Sequence, residues 1–278
     1  MELVGVPTPA GGTVSCRTWP GQTRPFVLVH GLASNARLWD EVADELSAAG
    51  HPVWAVDLPG HGATELPPTG VDTASAARAV TAVIQAHLLA GAVVAGQSWG
   101  GNVAVRLTAD RPELVGALAL VDGGWIDLPA DFGTWDECAE ALRPADLHGL
   151  RADDLRDRLR QSHPDWSDRA VEATVASLRE LPDGTVERRL PIPAHLAIVR
   201  DMWDHPPGPW LARITAPTLL LPAIPQDHAR AERTRRRVAA AADLLLDNTI
   251  REYADSDHDL HAQRPRELAT DLLGLARR

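Results

Sequence analysis

Short runs of consecutive apolar residues recur along the chain and alternate with longer stretches in which apolar residues follow a helical period. Such short runs, rich in β-branched residues, are typical of strands buried on both faces of a parallel sheet. They lie at 25–31, 53–56, 92–95, 117–121 and 216–221, with weaker strand patterns at 13–19, expected at a sheet edge, and at 250–253. Repeated strand–helix units of this kind predict an α/β fold with helices on both faces of the sheet.

The strand–helix alternation is interrupted between Trp125 and Trp210. In this stretch the pattern changes to charged helical pieces broken by prolines, with helices expected at 150–161 and 169–181. An interruption of this kind is best explained by an insertion above the strand ends. The predicted domains are therefore a core of residues 1–124 and 211–278 and a helical cap of residues 125–210.

One of the apolar runs ends in a sequence with chemical meaning. Gly96, Gln97, Ser98, Trp99 and Gly100 form the pattern G-x-S-x-G between a predicted strand and a predicted helix. This is the context of a nucleophile elbow, in which a sharp turn lifts the serine hydroxyl clear of the sheet. Ser98 is therefore the predicted nucleophile, and the backbone N–H of Trp99 is expected to face an oxyanion.

A serine nucleophile needs a base and a group that orients the base. His258 is the predicted base, because it follows the last predicted strand in a loop that can hang over the strand ends. His258 and His261 also have the close spacing of metal ligands. No further ligand cluster accompanies them in the sequence, so we expect neither a metal nor another cofactor.

The loop after the strand at 25–31 is expected beside Ser98. In this position the backbone N–H of Leu32 is the predicted second oxyanion donor. His30 and Gly31 are expected to border the substrate pocket, with His30 fixing the loop by hydrogen bonds rather than moving protons. Trp125, just past a strand end, is expected to face the same pocket, which favours an apolar substrate.

Two aspartates compete for the third position of the triad. Asp122 directly ends the strand before the interruption, at the carboxyl edge where ligands gather in α/β sheets. Asp227 follows the strand after the interruption, beyond a stretch that contains two prolines. We favour Asp122 because it needs no loop excursion to reach His258. The remaining alternatives are Asp255, Asp257 and an incomplete triad.

These motifs together resemble the α/β-hydrolase family, in particular its capped esterase, thioesterase and carbon–carbon hydrolase branches. The motifs that carry the resemblance are His30-Gly31, Asp57-Leu58-Pro59-Gly60-His61-Gly62, Gly96-Gln97-Ser98-Trp99-Gly100-Gly101 and Asp257-His258. The resemblance implies an eight-stranded, mostly parallel sheet flanked by helices, with the cap inserted after the sixth strand. It also implies a triad of Ser98, His258 and an acid, with oxyanion donors at Leu32 and Trp99.

One part of the chain departs from the pattern of that family. Near the seventh strand the family usually has a Gly-x-x-Asp turn, whereas this chain has Ala223-Ile224-Pro225-Gln226-Asp227. The departure counts against Asp227 as the acid and further favours Asp122.

Composition narrows the classes of partner. The formal net charge of −11 disfavours nucleic acid and anionic membranes, because both would repel the chain. Two cysteines far apart give no disulfide framework, no apolar run has the length of a membrane span, and the first residues lack a signal-peptide pattern. We therefore expect a cytoplasmic protein, as a monomer or a homodimer, that acts on a small molecule.

The residues favour a cofactor-independent serine hydrolase that cleaves an ester, thioester or lactone of an apolar small molecule through an acyl-enzyme on Ser98. Two other interpretations fit the same residues, because one fold hosts many chemistries. In the first, the pocket serves amide or carbon–carbon bond cleavage, or a non-hydrolytic cyclisation or lyase reaction. In the second, the chain is a non-catalytic protein that binds a small ligand.

Overall fold

The computed structural model describes residues 1–8 and 11–278 and is built around an eight-stranded sheet. In spatial order the strands are β1 (Glu2–Pro7), β2 (Thr13–Trp19), β4 (Val53–Val56), β3 (Phe26–Val29), β5 (Ala92–Gln97), β6 (Val115–Val121), β9 (Thr218–Leu221) and β11 (Asn248–Ile250). β2 pairs antiparallel with β1 and with β4, whereas the neighbours from β4 to β11 pair in parallel. The predicted eight-stranded, mostly parallel sheet is confirmed.

Helices cover both faces of this sheet. Side chains alternate between the two faces along each strand, so that Phe26 and Leu28 join one core and Val27 and Val29 join the other. The helices on the Phe26 side are α1 (Asp40–Ala48), α11 (Leu260–Gln263) and α12 (Pro265–Ala276). The helices on the Val27 side are α2 (Thr73–Ala86), α3 (Trp99–Asp110) and α10 (His228–Ala242).

Residues 125–210, here called the inserted segment, join β6 to the part of the chain that leads into β9. The segment contains α4 (Leu128–Asp131), α5 (Trp135–Ala141), α6 (Ala152–Ser162), α7 (Asp168–Val175), β7 (Leu178–Glu180), β8 (Val186–Arg188) and α8 (Ile192–Asp204), and α9 (Gly208–Leu211) ends it. The helix predicted at 169–181 is wrong over residues 176–181, because α7 ends at Val175 and an antiparallel hairpin follows. The turn of that hairpin contains Asp183 and Gly184, with Gly184 at φ +82°. Asp-Gly is a strong hairpin signal. The charged residues around it favoured the prediction of helix instead.

Two further differences concern the ends of the sheet. The strand at 13–19 is not an edge strand, because β1 pairs with it from the outside. The strand expected at 250–253 is divided between β11 and β12 (Tyr253–Ala254), and β12 pairs with β10 (Ala223–Ile224) beyond the main sheet. In the part of the chain that the structure describes, no helix has the length and apolar character needed to cross a membrane.

The register of the central strands sets the position of the candidate site. Gln97, the last residue of β5, lies opposite Val121, the last residue of β6. Ser98 and Asp122 are the next residues on two neighbouring parallel strands, so they leave the sheet side by side at its carboxyl edge. This is the edge at which ligands bind in open α/β sheets.

Candidate active site

Ser98 occupies a strained turn between β5 and α3. Its φ of 54° and ψ of −126° lie in a region that costs a residue with a side chain about 1–3 kcal/mol. The flanking glycines allow the turn because backbone passes directly over them. A Cβ on Gly96 would lie 2.5 Å from the carbonyl carbon of Gly100, and one on Gly100 would lie 2.6 Å from the carbonyl oxygen of Val29. The local packing therefore maintains the strained serine.

Asp122 and His258 are in direct contact. The Asp122 Oδ2 atom lies 2.6 Å from His258 Nδ1, and Asp122 Oδ1 accepts a 3.0 Å hydrogen bond from the Ala223 N–H. The second bond fixes the carboxylate from the far side. Because a carboxylate can only accept, Nδ1 of His258 carries the proton in this pair, and Nε2 is left as the basic nitrogen.

The other candidate acids have different surroundings. Asp227 is the N-cap of α10, where its side chain accepts a 2.7 Å hydrogen bond from the Arg230 N–H. Asp257 faces His163 at 3.4 Å, and Asp255 lies in a turn with φ of 51°. Among the aspartates within the described ranges, Asp122 is the one hydrogen-bonded to the His258 ring.

A cavity of about 550 Å³ opens onto these residues. It brings together Ser98, Asp122, His258, Leu32, Trp99 and Trp125 from the set predicted from the sequence. Its walls are mainly apolar and come largely from the inserted segment, with Ile126, Leu128, Phe132, Leu142, Val199 and Met202. The arrangement suits a molecule with an apolar body and a reacting group near Ser98.

Leu32 and Trp99, the two predicted oxyanion donors, both line this cavity together with Ser98. Within residues 1–8 and 11–278, the N–H groups of Leu32 and Trp99 have no hydrogen-bond acceptor. The Trp99 side chain is fully buried and donates a 3.1 Å hydrogen bond to Thr73, which fixes the start of α3. The two N–H groups are therefore available to a ligand oxygen that carries developing negative charge.

His30 and Gly31 do not border the cavity as predicted: neither is among the described residues that line it. His30 is fully buried, where its Nε2 accepts a 3.0 Å hydrogen bond from the Leu58 N–H and its Nδ1 donates to the Gly31 carbonyl at 2.7 Å. Burial lowers the pKa of His30 to about 4, so the ring is neutral and ties two loops together. A Cβ on Gly31 would lie 3.0 Å from the Ser98 Cβ, so this glycine allows the loop to approach the elbow.

Several residues at the site were not among those predicted from the sequence. Gln97 donates from Nε2 to the His258 carbonyl at 3.2 Å and thereby connects the elbow to the loop of the base. Its position inside G-x-S-x-G is the one signal that could have pointed to it. Arg143, His195 and Arg237 line the cavity as well. They lie far from Ser98 in the sequence: His195 and Arg237 belong to α8 and α10, and Arg143 follows the end of α5.

The loop of His258 is also held by the inserted segment. Asp165 accepts a 2.7 Å hydrogen bond from Gln263 Nε2, and Gln263 Oε1 accepts one of 2.8 Å from the Asp257 N–H. His163 Nδ1 lies 3.4 Å from Asp257 Oδ2. The residue immediately before His258 is therefore fixed through contacts with the segment.

The surroundings of His258 affect its pKa in two opposite ways. The protein atoms around the ring lower its pKa by desolvation, although 52% of the side chain is exposed. The hydrogen bond and negative charge of Asp122, with a further contribution from Asp259, outweigh that effect. The net result is that the pKa of His258 is raised above its ordinary value of 6.5.

Comparison with known proteins identifies the family. The chain matches the family model described as alpha/beta hydrolase fold over residues 24–189. An esterase of Mycobacterium tuberculosis, Rv0045c, is 38% identical over 112 residues, which cover 40% of this chain and 37% of the esterase. The lipase LipV of the same species is 28% identical over 201 residues, covering 69% of this chain and 73% of the lipase. The chain spans 33–37% of the length of the first three curated relatives it matches.

The solved structures agree at the level of the fold. The structure of E-2-(acetamidomethylene)succinate hydrolase superposes with a TM-score of 0.78 at 19% identity, and the match covers 100% of both chains. The family match covers more than half of the sequence, and the sheet order is the one described above. The chain belongs to the α/β-hydrolase fold family.

Proposed function

We propose that this protein is a serine hydrolase that cleaves an ester, thioester or lactone of a small and largely apolar molecule. The observation that carries the proposal is the 2.6 Å contact between Asp122 and His258 beside the cavity that Ser98 lines. The names of the two relatives, an esterase and a lipase, support ester cleavage. In this proposal residues 1–124 and 211–278 form a core domain that supplies the triad, and the inserted segment acts as its cap.

In the first half of the reaction, Ser98 Oγ attacks the acyl carbon while Nε2 of His258 takes the hydroxyl proton. The carbonyl oxygen becomes an oxyanion, which the N–H groups of Leu32 and Trp99 stabilise. Asp122 holds the ring in the required tautomer and stabilises its positive charge. Collapse of the tetrahedral intermediate expels the alcohol or thiol, which takes the proton from His258.

In the second half, water attacks the acyl-enzyme. His258 takes a proton from the water, and the same backbone donors bind the second oxyanion. When this intermediate collapses, the bond to Ser98 Oγ breaks, and the serine recovers its proton from His258. The acid leaves, and the enzyme returns to its starting state.

Labelling with a fluorophosphonate, read by intact mass, tests the proposal. We expect one adduct on the wild type and none on Ser98→Ala, with hydrolysis of p-nitrophenyl butyrate reduced by roughly 10³-fold or more in that variant. Ser34→Ala is the matched control: the buried Ser34 Oγ has no hydrogen-bond partner among the described residues, so its removal leaves labelling unchanged. An adduct that persists on Ser98→Ala, or folded wild type that neither labels nor hydrolyses the ester, contradicts the proposal. The latter result would favour a ligand-binding protein.

The pH dependence provides an independent prediction. Only the neutral His258 ring accepts a proton, so kcat/KM falls as the pH decreases through the pKa of His258. Because Asp122 raises that pKa, we expect the half-maximal point above 6.5. Asp122→Asn removes the negative charge that raises the pKa of His258, so the inflection of the residual activity moves to lower pH. A pH–rate profile measures both values; an inflection that does not move in Asp122→Asn would assign the titration to another group.

A further inference from the structure

The charges that line the large cavity are not balanced. Asp122 is paired with His258, and Asp131 is paired with Arg237. Among the described residues that line the cavity, Arg143 is the arginine that remains. Among the residues that the structure describes, its guanidinium has neither a hydrogen-bond acceptor nor a carboxylate within 4 Å. Arg143 is exposed to solvent, so the described lining of the cavity carries one uncompensated positive charge on its open side, in a chain whose net charge is −11.

A smaller cavity, which Pro144 helps to line, also contains arginines without a carboxylate partner among the described residues. It has a volume of about 60 Å³ and shares His195 with the large cavity. Arg188 and Arg189 line it and donate to backbone carbonyls: Arg188 to Ala145, and Arg189 to Ala176 and Leu178. Within the described ranges neither arginine has a carboxylate within 4 Å. The charge of Asp146 acts on Arg188 from beyond that distance.

The chain segment 142–145 forms hydrogen bonds with His195 and Arg188, which line the smaller cavity. The Leu142 carbonyl accepts a 3.1 Å hydrogen bond from His195 Nε2, and the Ala145 carbonyl accepts one from Arg188. Arg143 lies between these two anchored carbonyls. Its backbone is therefore held in place, while its guanidinium remains available to a ligand.

We propose that Arg143 binds a carboxylate at the end of the substrate that does not react, so that the preferred substrate is a monoester or monothioester of a dicarboxylic acid. The inference rests on the proposed function and names the substrate class of the same site. The planar fork of a guanidinium matches a carboxylate in a two-point hydrogen bond. One guanidinium without an acceptor matches one carboxylate, because Arg188 and Arg189 in the smaller cavity already donate to backbone carbonyls. The apolar walls suit the methylene chain between the two ends.

Two methyl esters of equal acyl length test this assignment, namely monomethyl suberate with a terminal carboxylate and methyl octanoate without one. We expect the wild type to have the higher kcat/KM on monomethyl suberate. Arg143→Gln should lower that value by about 10- to 100-fold, the effect of a lost hydrogen bond to a charged group, and should lower the ratio of kcat/KM on monomethyl suberate to that on methyl octanoate. The matched control is Arg179→Gln, because Arg179 lies on the nearby hairpin and is paired with Glu187.

A binding measurement separates this inference from the hydrolytic mechanism. Titration of Ser98→Ala with suberate by calorimetry needs no turnover, and we expect binding that Arg143→Gln abolishes in the same background. Equal kcat/KM for the two esters, an unchanged ratio in Arg143→Gln, or no suberate binding overturns the carboxylate site. Stronger competition by inorganic phosphate than by suberate would also overturn it. If suberate binds through Arg143 but neither ester is hydrolysed, the proposed function fails and the carboxylate site stands.

Discussion

Replacing Asp122 with asparagine is expected to lower kcat on p-nitrophenyl butyrate by roughly 10⁴-fold while the protein stays folded. The amide of asparagine can donate to His258 Nδ1, which then has to be the acceptor. The proton moves to Nε2, and the ring can no longer accept the hydroxyl proton of Ser98. Because the change keeps the size of the side chain, the 3.0 Å bond from the Ala223 N–H can be retained. Steady-state kinetics with circular dichroism as the folding check measures both effects.

Asp227→Asn is the control for this prediction. Asp227 caps α10 through its side chain, and asparagine is an equally good N-cap. We therefore expect stability and kcat to remain close to those of the wild type. If Asp227→Asn inactivated the protein and Asp122→Asn did not, the order of the two aspartates would be reversed and the 2.6 Å contact would be incidental to catalysis.

Gly96→Ala is expected to lower the free energy of unfolding by more than about 3 kcal/mol, or to prevent folding. The added Cβ would lie 2.5 Å from the carbonyl carbon of Gly100, and backbone at this position cannot move aside as a flexible side chain can. The turn that carries Ser98 would have to open, so fluorophosphonate labelling is expected to disappear as well. Denaturation with urea measures the change in stability.

Substitution of a second glycine is expected to raise the stability of the protein instead of lowering it. Gly274 lies inside α12, where the nearest atom to an added Cβ is Nη2 of Arg277 at 3.9 Å. Gly274→Ala is therefore expected to stabilise the protein by about 0.5–1 kcal/mol, because alanine loses less backbone entropy in a helix. A Gly96→Ala variant as stable as the wild type would contradict the close approach of β5 and α3.

The core of the fold could be predicted from local sequence because its strands are continuous apolar runs with helical stretches between them. Two of the candidate catalytic residues lie at the ends of those runs: Ser98 follows β5 directly, and Asp122 follows β6. Once neighbouring parallel strands are assumed, residues at their carboxyl ends are necessarily close together. Position relative to a strand end thus predicted contacts between residues far apart in sequence.

The inserted segment could not be predicted in the same way. Its helices are short and mostly charged, and its hairpin at 178–188 depends on a turn at Asp183 and Gly184 that the charged residues around it obscured. The proposed carboxylate site rests on the finding that, within the described ranges, no carboxylate reaches the guanidinium of Arg143. No local sequence pattern indicates such an absence. The sequence predicts His30 at the cavity because it shows that His30 follows β3, but not that its ring bonds the Leu58 N–H and the Gly31 carbonyl instead.

The contacts of Asp165 with Gln263 and of His163 with Asp257 make the placement of the base conditional on the placement of residues 163–165. These three residues are not among the described residues that line the cavity. A shift of residues 163–165 would therefore move the loop of His258 while the cavity walls stay in place. Such a shift would slow turnover more than it weakens binding.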